Sequence, residues 1–182
     1  TSEATWRWLA VSIFVLSDAL NFLDRQLLAA VAPTIKAEFQ LTNTQYGSIL
    51  SAFSIVYMVA VPFAGLMVDR IGTKLSAMFG VLLWSVAGTA TGFTQSLRGL
   101  VICRMTLGLG ESVGIPTSSK TVASYLKPSE FGLGTALGSL GFTAGAIFSP
   151  LVAEALVPRI CRPASFIFSE VVGIFWGPFW SF

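Results

Sequence analysis

The sequence contains no histidine and only two cysteines, Cys103 and Cys161. Histidine is the usual base for a serine nucleophile and a frequent metal ligand, so its absence argues against the common forms of both kinds of site. Two cysteines provide neither a disulfide framework nor the spacing of a metal site. We therefore expect no metal, no cofactor and no enzymatic activity.

One short motif nevertheless matches a hydrolase pattern. The stretch Gly110–Gly114, GESVG, fits the G-x-S-x-G sequence of a nucleophile elbow. That elbow joins a strand to a helix, and no β-branched strand pattern precedes Gly110. No Gly-Lys-Ser/Thr follows, which also excludes a phosphate-binding loop. Without a histidine, Ser112 is not expected to act as a nucleophile, and its neighbour Glu111 becomes the more informative residue.

Charged residues are scarce as well. They make up 11% of the 182 residues, and 54% of the residues are hydrophobic. An average soluble domain has about 25% charged residues. With a mean hydropathy of +0.76, the chain cannot cover itself with polar surface, so we expect it to lie in a lipid bilayer. The net charge of +2 is too small to indicate a nucleic-acid partner.

Long apolar runs fill most of the sequence. Three runs contain no charged residue, and three others are equally long but carry charge. A helix needs about 20 apolar residues to cross the hydrocarbon core of a membrane. The sequence therefore predicts an all-α membrane protein, one module of six transmembrane helices over residues 1–182. The expected spans are about 8–31, 44–68, 75–93, 97–126, 131–157 and 163–182.

The charged residues inside the spans are the candidates for function, because each costs about 2.5 to 3.5 kcal/mol at mid-membrane on the insertion scale. In the fourth span, Arg104 and Glu111 are seven positions apart, which places both on one helix face about 10 Å apart along the axis. In the first span, Asn21, Asp24 and Arg25 occupy one turn.

Two structural alternatives stay open for these charges. Asp24 and Arg25 could lie near the end of a span and neutralise charges on neighbouring helices, and Arg104 and Glu111 could form a pair with no ligand. A functional role is favoured because arginine binds carboxylates in a bidentate manner and a carboxyl in a partly dry cavity can hold a proton near neutral pH. These are the parts that a proton-coupled carrier of organic anions requires.

Several stretches resemble a known family of transporters. GLMVDRIGTK, Gly65–Lys74, resembles the signature between the second and third helices of the major facilitator superfamily. NFLDR, Asn21–Arg25, resembles the N-Y-x-D-R motif of the anion:cation symporters within it, and Arg104–Lys120 resembles their fourth helix. The similarity covers about residues 6–157 and is greatest to hexuronate and galactonate carriers.

The resemblance implies a transporter with alternating access. The family fold has twelve helices in two six-helix halves, each a 3+3 inverted repeat. This chain is expected to be the N-terminal half, truncated at its C-terminus, and to need the missing half or a second copy as partner. The implied function is proton-coupled symport of a sugar acid such as hexuronate or galactonate. The alternative is a truncated or degenerate membrane fragment without transport activity of its own.

The resemblance also implies site residues and an orientation. The expected substrate-binding residues are Asn21, Arg25, Tyr57 and Arg104, and the expected proton-coupling residues are Asp24 and Glu111. The cytoplasmic gate motif consists of Gly65, Asp69, Arg70, Gly72 and Lys74. This motif places the N-terminus in the cytoplasm and the protein in the cell membrane, the inner membrane if it is bacterial. The resemblance further implies that the second half provides the partner of the gate aspartate.

Overall fold

The structure, a computed structural model, describes the backbone of residues 2–156, and the side chains of 5–151 apart from Phe14, Asp24 and Leu27. This part of the chain is built from helices. They are α1 (Ser2–Ala30), α2 (Ala32–Glu38), α3 (Asn43–Phe93), α4 (Leu97–Glu111), α5 (Gly114–Tyr125), a 3-10 turn (Pro128–Glu130) and α6 (Phe131–Leu156). The expected sixth span at 163–182 lies outside the described residues.

The first helix, α1, carries a polar face into the bundle. At about 1.5 Å per residue its 29 residues extend for about 44 Å, which exceeds the hydrocarbon thickness of a bilayer. Asp18, Asn21 and Arg25 follow one another at intervals of three and four positions, so they share one side of the helix. Asp18 and Asn21 are buried, whereas Leu9 and Leu16 on other sides are exposed.

The third helix, α3, consists of two parts that meet at Gly72. Thr42 caps its start, because its Oγ1 accepts a hydrogen bond from the Gln45 backbone N–H at 3.2 Å. Gly72 has φ 85° and ψ 165°, a conformation that side-chain-bearing residues rarely adopt. Phe53 of the first part packs in one buried cluster with Trp84 of the second part. The two parts therefore lie side by side, and the expected spans 44–68 and 75–93 fall on either side of the glycine.

The expected span at 97–126 is occupied by two helices, α4 and α5. Only Ser112 and Val113 separate them, and both residues have right-handed helical backbone angles. Pro116 follows in the first turn of α5 and has no N–H to donate to the carbonyl of Ser112, which explains why the helical hydrogen bonding is interrupted here. The break comes directly after Glu111.

Glycines bring the helices into close contact. A Cβ atom at Gly141 of α6 would lie 2.6 Å from the Val15 carbonyl oxygen of α1, and one at Gly108 of α4 would lie 2.8 Å from the Phe53 carbonyl oxygen of α3. Small residues allow such backbone contacts between membrane helices. The first contact packs α1 against α6, the second packs α4 against α3, and α1 also packs against α5.

The outer surface of the bundle is apolar. Exposed side chains include Phe63, Val86, Ile102 and Leu140. Three described helical segments are long and apolar enough to cross a membrane: Thr5–Ala30, Asn43–Phe93 and Pro128–Leu151. The second of these has 51 residues, about 77 Å if it were straight, which is enough for two crossings.

Candidate functional site

The centre of the site is an ion pair between α1 and the end of α4. Arg25 Nη2 lies 2.7 Å from Glu111 Oε2, and Arg25 Nε donates to the same oxygen at 3.1 Å. The Glu111 side chain is 1% exposed, and that of Arg25 is 27% exposed. Nη2 also donates to Asn21 Oδ1 at 3.4 Å. Two of the predicted substrate-binding residues and one predicted proton-coupling residue are therefore in direct contact.

Aromatic rings surround the guanidinium group of Arg25. Its central carbon lies 4.6 Å from the ring centroid of Tyr57, 4.8 Å from that of Phe53 and 5.8 Å from that of Phe22. Phe53 and Tyr57 are one helical turn apart, and their rings stack at 5.8 Å and 19°. A cation over an aromatic face is attracted by the ring quadrupole. The rings thus hold the positive charge in a largely apolar setting.

Tyr57 was predicted from the family resemblance, but Phe53 was missed. The spacing of four positions on α3 could have indicated it, because residues i and i+4 lie on one face of a helix. Phe22, which stands where the resemblance expects a tyrosine, contacts Arg25 and meets Phe142 of α6 edge to face at 5.6 Å. The phenylalanine ring keeps the contact with the cation and provides no hydroxyl.

Arg104 is buried on the same helix as Glu111. It is 3% exposed, and Leu107 and Gly108 follow it as buried residues on α4. The glycine leaves room for the α3 backbone at Phe53 and so brings the aromatic pair close to the charged face of α4. The described structure joins Glu111 to Arg25 of α1, a contact across 86 positions of sequence.

A second polar contact lies further along the same helices. Ser118 Oγ of α5 donates to Asp18 Oδ2 of α1 at 2.8 Å. Asp18 is 5% exposed and Asn21 is 6% exposed. Sequence analysis did not select Asp18 as a site residue. The signal that could have found it is its position on the face of α1 that also carries Asn21 and Arg25.

The gate motif lies at the far end of the first part of α3. Lys120 Nζ of α5 lies 2.8 Å from Asp69 Oδ1 and donates to the Val68 carbonyl oxygen at 3.2 Å. Asp69 therefore has a partner within this chain. The expectation that the second half provides the partner of Asp69 did not include this contact with Lys120. Gly72 forms the kink, and the other motif residues flank it on α3: Gly65, Arg70 and Lys74.

Asp24 was predicted as a proton-coupling residue, whereas Ser112 was considered as a nucleophile and not expected to act as one. Asp24 lies on α1, and its side chain is outside the described residues. Ser112 is 1% exposed, and its Oγ donates to the Leu109 carbonyl oxygen at 2.7 Å. The hydroxyl is thus engaged with the helix backbone, as is common for serine in membrane helices.

Comparisons with known proteins identify the family of the chain. The sequence profile of the Major Facilitator Superfamily matches residues 14–182. The chain is 34% identical over 176 residues to the hexuronate transporter of Escherichia coli (strain K12), covering 96% of this chain and 40% of the relative. It is 26% identical over 175 residues to the galacturonate transporter of Dickeya chrysanthemi, covering 96% of this chain and 50% of the relative.

A solved structure shows the same fold. It is that of a bacterial homolog to the human lysosomal transporter Spinster, in an inward-facing and unoccupied conformation, with a TM-score of 0.91 and 20% sequence identity. The match covers 96% of this chain and 42% of that one. The chain thus spans about half or less of the length of the relatives it matches. It belongs to the Major Facilitator Superfamily of membrane transporters, whose N-terminal half was the fold expected from its sequence.

Proposed function

We propose that the chain provides one half of a symporter that carries an organic anion together with a proton across the cell membrane. The observation that supports this proposal is the buried Arg25–Glu111 pair. An arginine that already holds an internal carboxylate has the geometry and charge to hold the carboxylate of a substrate. The aromatic rings around it leave part of the group accessible, since its side chain is 27% exposed.

The pair also supports a coupling between proton and substrate. Protonation of Glu111 removes its negative charge, and the attraction between the two side chains is then weakened. Arg25 becomes available for the carboxylate of the substrate. A hydrogen bond to a charged group contributes about 1.5 to 3 kcal/mol, so the proton raises the affinity for the anion by about tenfold to more than a hundredfold. By reciprocity, the bound anion raises the affinity of Glu111 for its proton by the same factor.

The proposed substrate is a sugar acid such as hexuronate or galactonate. Two relatives are named for the transport of hexuronate and galacturonate. A sugar acid has one carboxylate for Arg25 and several hydroxyl groups, for which Asn21 and Tyr57 beside the arginine provide hydrogen-bonding groups. Arg104 contributes a second positive charge on α4. We assign Asp24, from the resemblance alone, to proton coupling.

The proposed topology follows from the gate motif. Gly65–Lys74 is assigned to the cytoplasmic end of the bundle, which places the N-terminus in the cytoplasm. The Asp69–Lys120 pair then connects α3 to α5 at that end. The chain covers 40% of the Escherichia coli hexuronate transporter, so transport requires a second half or a second copy. A fragment without activity of its own remains the competing interpretation.

Transport in liposomes tests the proposal. The chain is joined to its second half and supplied with labelled galacturonate, under an inward proton gradient in one assay and without a gradient, with unlabelled substrate inside, in the other. Glu111→Gln is expected to abolish accumulation driven by the gradient and to keep exchange, because a neutral side chain leaves Arg25 permanently available. Arg25→Ala is expected to abolish both activities.

Two matched variants complete the design. Arg25→Lys keeps the charge without the planar fork, so intermediate exchange is expected. Ser112→Ala removes a buried hydroxyl next to Glu111 that donates its hydrogen bond to the Leu109 carbonyl oxygen of the preceding helical turn, so near-normal activity is expected. Proton-driven accumulation by Glu111→Gln at the normal rate would exclude the proposed coupling. A loss of transport activity in Ser112→Ala alone would show that the serine hydroxyl, rather than Glu111 or Arg25, is required.

A further inference from the structure

Asp18 occupies a separate position between the two ion pairs of the bundle. It lies seven positions before Arg25 on α1, about 10 Å along the axis. Its partner Ser118 lies on α5. Along the chain, Ser118 stands between Glu111, the last residue of α4, and Lys120 of α5, whose Nζ contacts the gate residue Asp69. Asp18 is therefore placed between the central Arg25–Glu111 pair and the end of the bundle that carries the gate motif.

Within the part of the chain that the structure describes, no hydrogen bond or ion pair joins Asp18 to a cation. Among the described side chains, its hydrogen-bond partner is the neutral hydroxyl of Ser118, at 2.8 Å. On the α6 side, a Cβ atom at Gly138 would lie 4.0 Å from Asp18 Oδ2. Two cations on the helices that carry Asp18 and Ser118 are engaged elsewhere: Arg25 of α1 with Glu111, and Lys120 of α5 with Asp69. An isolated buried charge is costly, and proteins commonly relieve the cost by neutralising the group.

A second observation points to a small ligand beside this carboxyl group. Asn21 is 6% exposed, and its Nδ2 has no hydrogen-bond acceptor among the described residues. A Cβ atom at Gly114 would lie 3.9 Å from Asp18 Oδ1 and 4.0 Å from Asn21 Nδ2, so the glycine leaves a gap in front of both atoms. The two side chains and Gly114 line one cavity, with about 10 Å³ for the centre of a water molecule.

This cavity suits one water molecule rather than a metal ion. Its volume is close to the minimum that a single water requires. Asn21 presents a donor to the cavity, because its Oδ1 accepts from Arg25. A donor repels a cation but binds the oxygen of a water, which can in turn donate to Asp18 Oδ1. The chain Asp18–water–Asn21–Arg25 would then connect the carboxyl group to the central ion pair.

We propose that Asp18 is a second proton-binding carboxyl group of the transporter, served by a water molecule held between its Oδ1 and Asn21 Nδ2. The role of Asp18 in transport rests on the proposed function. In that function, Asp18 adds a proton-binding site between Glu111 and the gate end of the bundle. Asp18 exchanges its proton through the cavity water, which passes one proton to the carboxylate as it accepts another and so stays neutral overall. The negative charge of ionised Asp18 acts on Arg25 through Asn21. Protonation of Asp18 therefore changes the proton affinity of Glu111, and protonation of Glu111 changes that of Asp18.

Site-resolved titration of the chain in lipid nanodiscs tests this without any transport assay. The chain contains three aspartates, Asp18, Asp24 and Asp69, so labelling the aspartate side-chain carbons with 13C gives three carboxyl signals in an NMR spectrum. Each is assigned by its loss in a single Asp→Asn variant. Should Asp18→Asn not fold, the Asp24→Asn and Asp69→Asn variants assign the Asp18 signal by elimination.

The expected result is a protonation step of the Asp18 signal between about pH 5 and about pH 8, a range in which an ordinary surface aspartate stays ionised. Gly114→Ala is expected to displace this step, because its methyl group fills the gap without a clash. Gly47→Ala, where an added Cβ meets nothing within 4 Å, is the matched control and should leave the step unchanged. An Asp18 signal that stays constant over this range would overturn the proposal.

The titration separates failure of this proposal from failure of the proposed function. A protonation step at Asp18 stands even if the complete transporter proves not to carry sugar acids. A constant Asp18 signal, together with loss of proton-driven uptake in Glu111→Gln, would leave the function in place and remove only the second proton site. If the Asp18 signal shows the protonation step and Gly114→Ala leaves that step unchanged, the bridging water is excluded. This outcome would contradict the proposal.

Discussion

Lys120 of α5 holds Asp69 of α3 at 2.8 Å and also donates to the backbone carbonyl of Val68 at 3.2 Å. The contact joins α5, the helix that follows the Ser112–Val113 break, to the end of the first part of α3, just before the Gly72 kink. It lies at the end of the bundle where the gate motif is found. The side chains remain partly open to their surroundings, with Asp69 70% and Lys120 37% exposed.

The exposure of this pair predicts a small contribution to stability. In a double-mutant cycle with Asp69→Asn and Lys120→Gln, we expect a coupling free energy below about 1 kcal/mol, because exposed ion pairs gain little over solvation. Thermal unfolding of the four proteins in one detergent measures it. A coupling of several kcal/mol would show that the pair is shielded in the membrane-embedded protein and acts as a structural clamp.

The aromatic residue next to Arg25 gives a second prediction. Phe53→Leu keeps an apolar side chain but removes a ring 4.8 Å from the guanidinium. A cation–π contact contributes about 0.5 to 2 kcal/mol. If the ring positions Arg25 for the substrate, Kd for the sugar acid should rise by about two- to thirtyfold in the completed transporter.

Binding measured by isothermal calorimetry, with Phe63→Leu as the control, checks this prediction. Phe63 is on the same helix, 66% exposed at the outer surface, and should bind normally after substitution. Equal affinities of the Phe53 variant and the control would mean that the ring fills space without orienting the arginine. Unchanged substrate exchange at saturating substrate, together with a raised Kd, would assign Phe53 to positioning.

Orientation in the membrane leads to a third prediction. With Cys103 and Cys161 replaced by alanine, a cysteine at Thr73 should be labelled by an impermeant thiol reagent only after the cells are permeabilised. Gln95 follows the second part of α3 and is exposed, so a cysteine there should be labelled from outside intact cells. Labelling of the Thr73 cysteine in intact cells would reverse the proposed topology.

Much of this arrangement follows from local features of the sequence. Apolar length predicted membrane helices, and the cost of buried charge marked Arg25, Arg104 and Glu111 as unusual. The family resemblance is confirmed by the sequence profile that matches residues 14–182. These signals are local or depend on motifs, so they can be read without a three-dimensional structure.

The pairings could not be predicted in the same way. Arg25 and Glu111 are 86 positions apart, and Asp18 and Ser118 are 100 positions apart. Periodicity assigns each residue to a face of its own helix but does not specify which helix that face meets. The glycine contacts decide this, because they set which backbones approach closely. The break before α5 also depends on Pro116, whose effect in a membrane helix varies with its neighbours.

The glycine contacts between α3 and α4 give a fourth prediction. A Cβ atom at Gly108 would lie 2.8 Å from the Phe53 carbonyl oxygen, and one at Gly110 would lie 2.7 Å from the Trp84 backbone nitrogen. Both neighbours are backbone atoms, which move only with their helix. We expect each Gly→Ala variant to lower the free energy of unfolding by about 1 to 3 kcal/mol through overpacking.

Gly47→Ala is the matched control, because an added Cβ there meets nothing within 4 Å. It should keep or slightly raise the unfolding temperature, since alanine favours helix more than glycine does. The three variants are compared with the parent chain by thermal unfolding in the same detergent. Stability of Gly108→Ala and Gly110→Ala equal to that of the control would mean that α3 and α4 lie further apart than the structure shows.

The final prediction is that the 182-residue chain does not transport by itself. The site on α1, α3 and α4 has Arg25 partly exposed, and the proposed mechanism requires a second wall to enclose the substrate. In liposomes with an inward proton gradient and labelled galacturonate, we expect no saturable, gradient-dependent uptake. A full-length hexuronate transporter, reconstituted in parallel, shows that the assay detects transport. Saturable uptake by the purified chain, lost in Arg25→Ala, would contradict the prediction and would mean that two copies enclose one site.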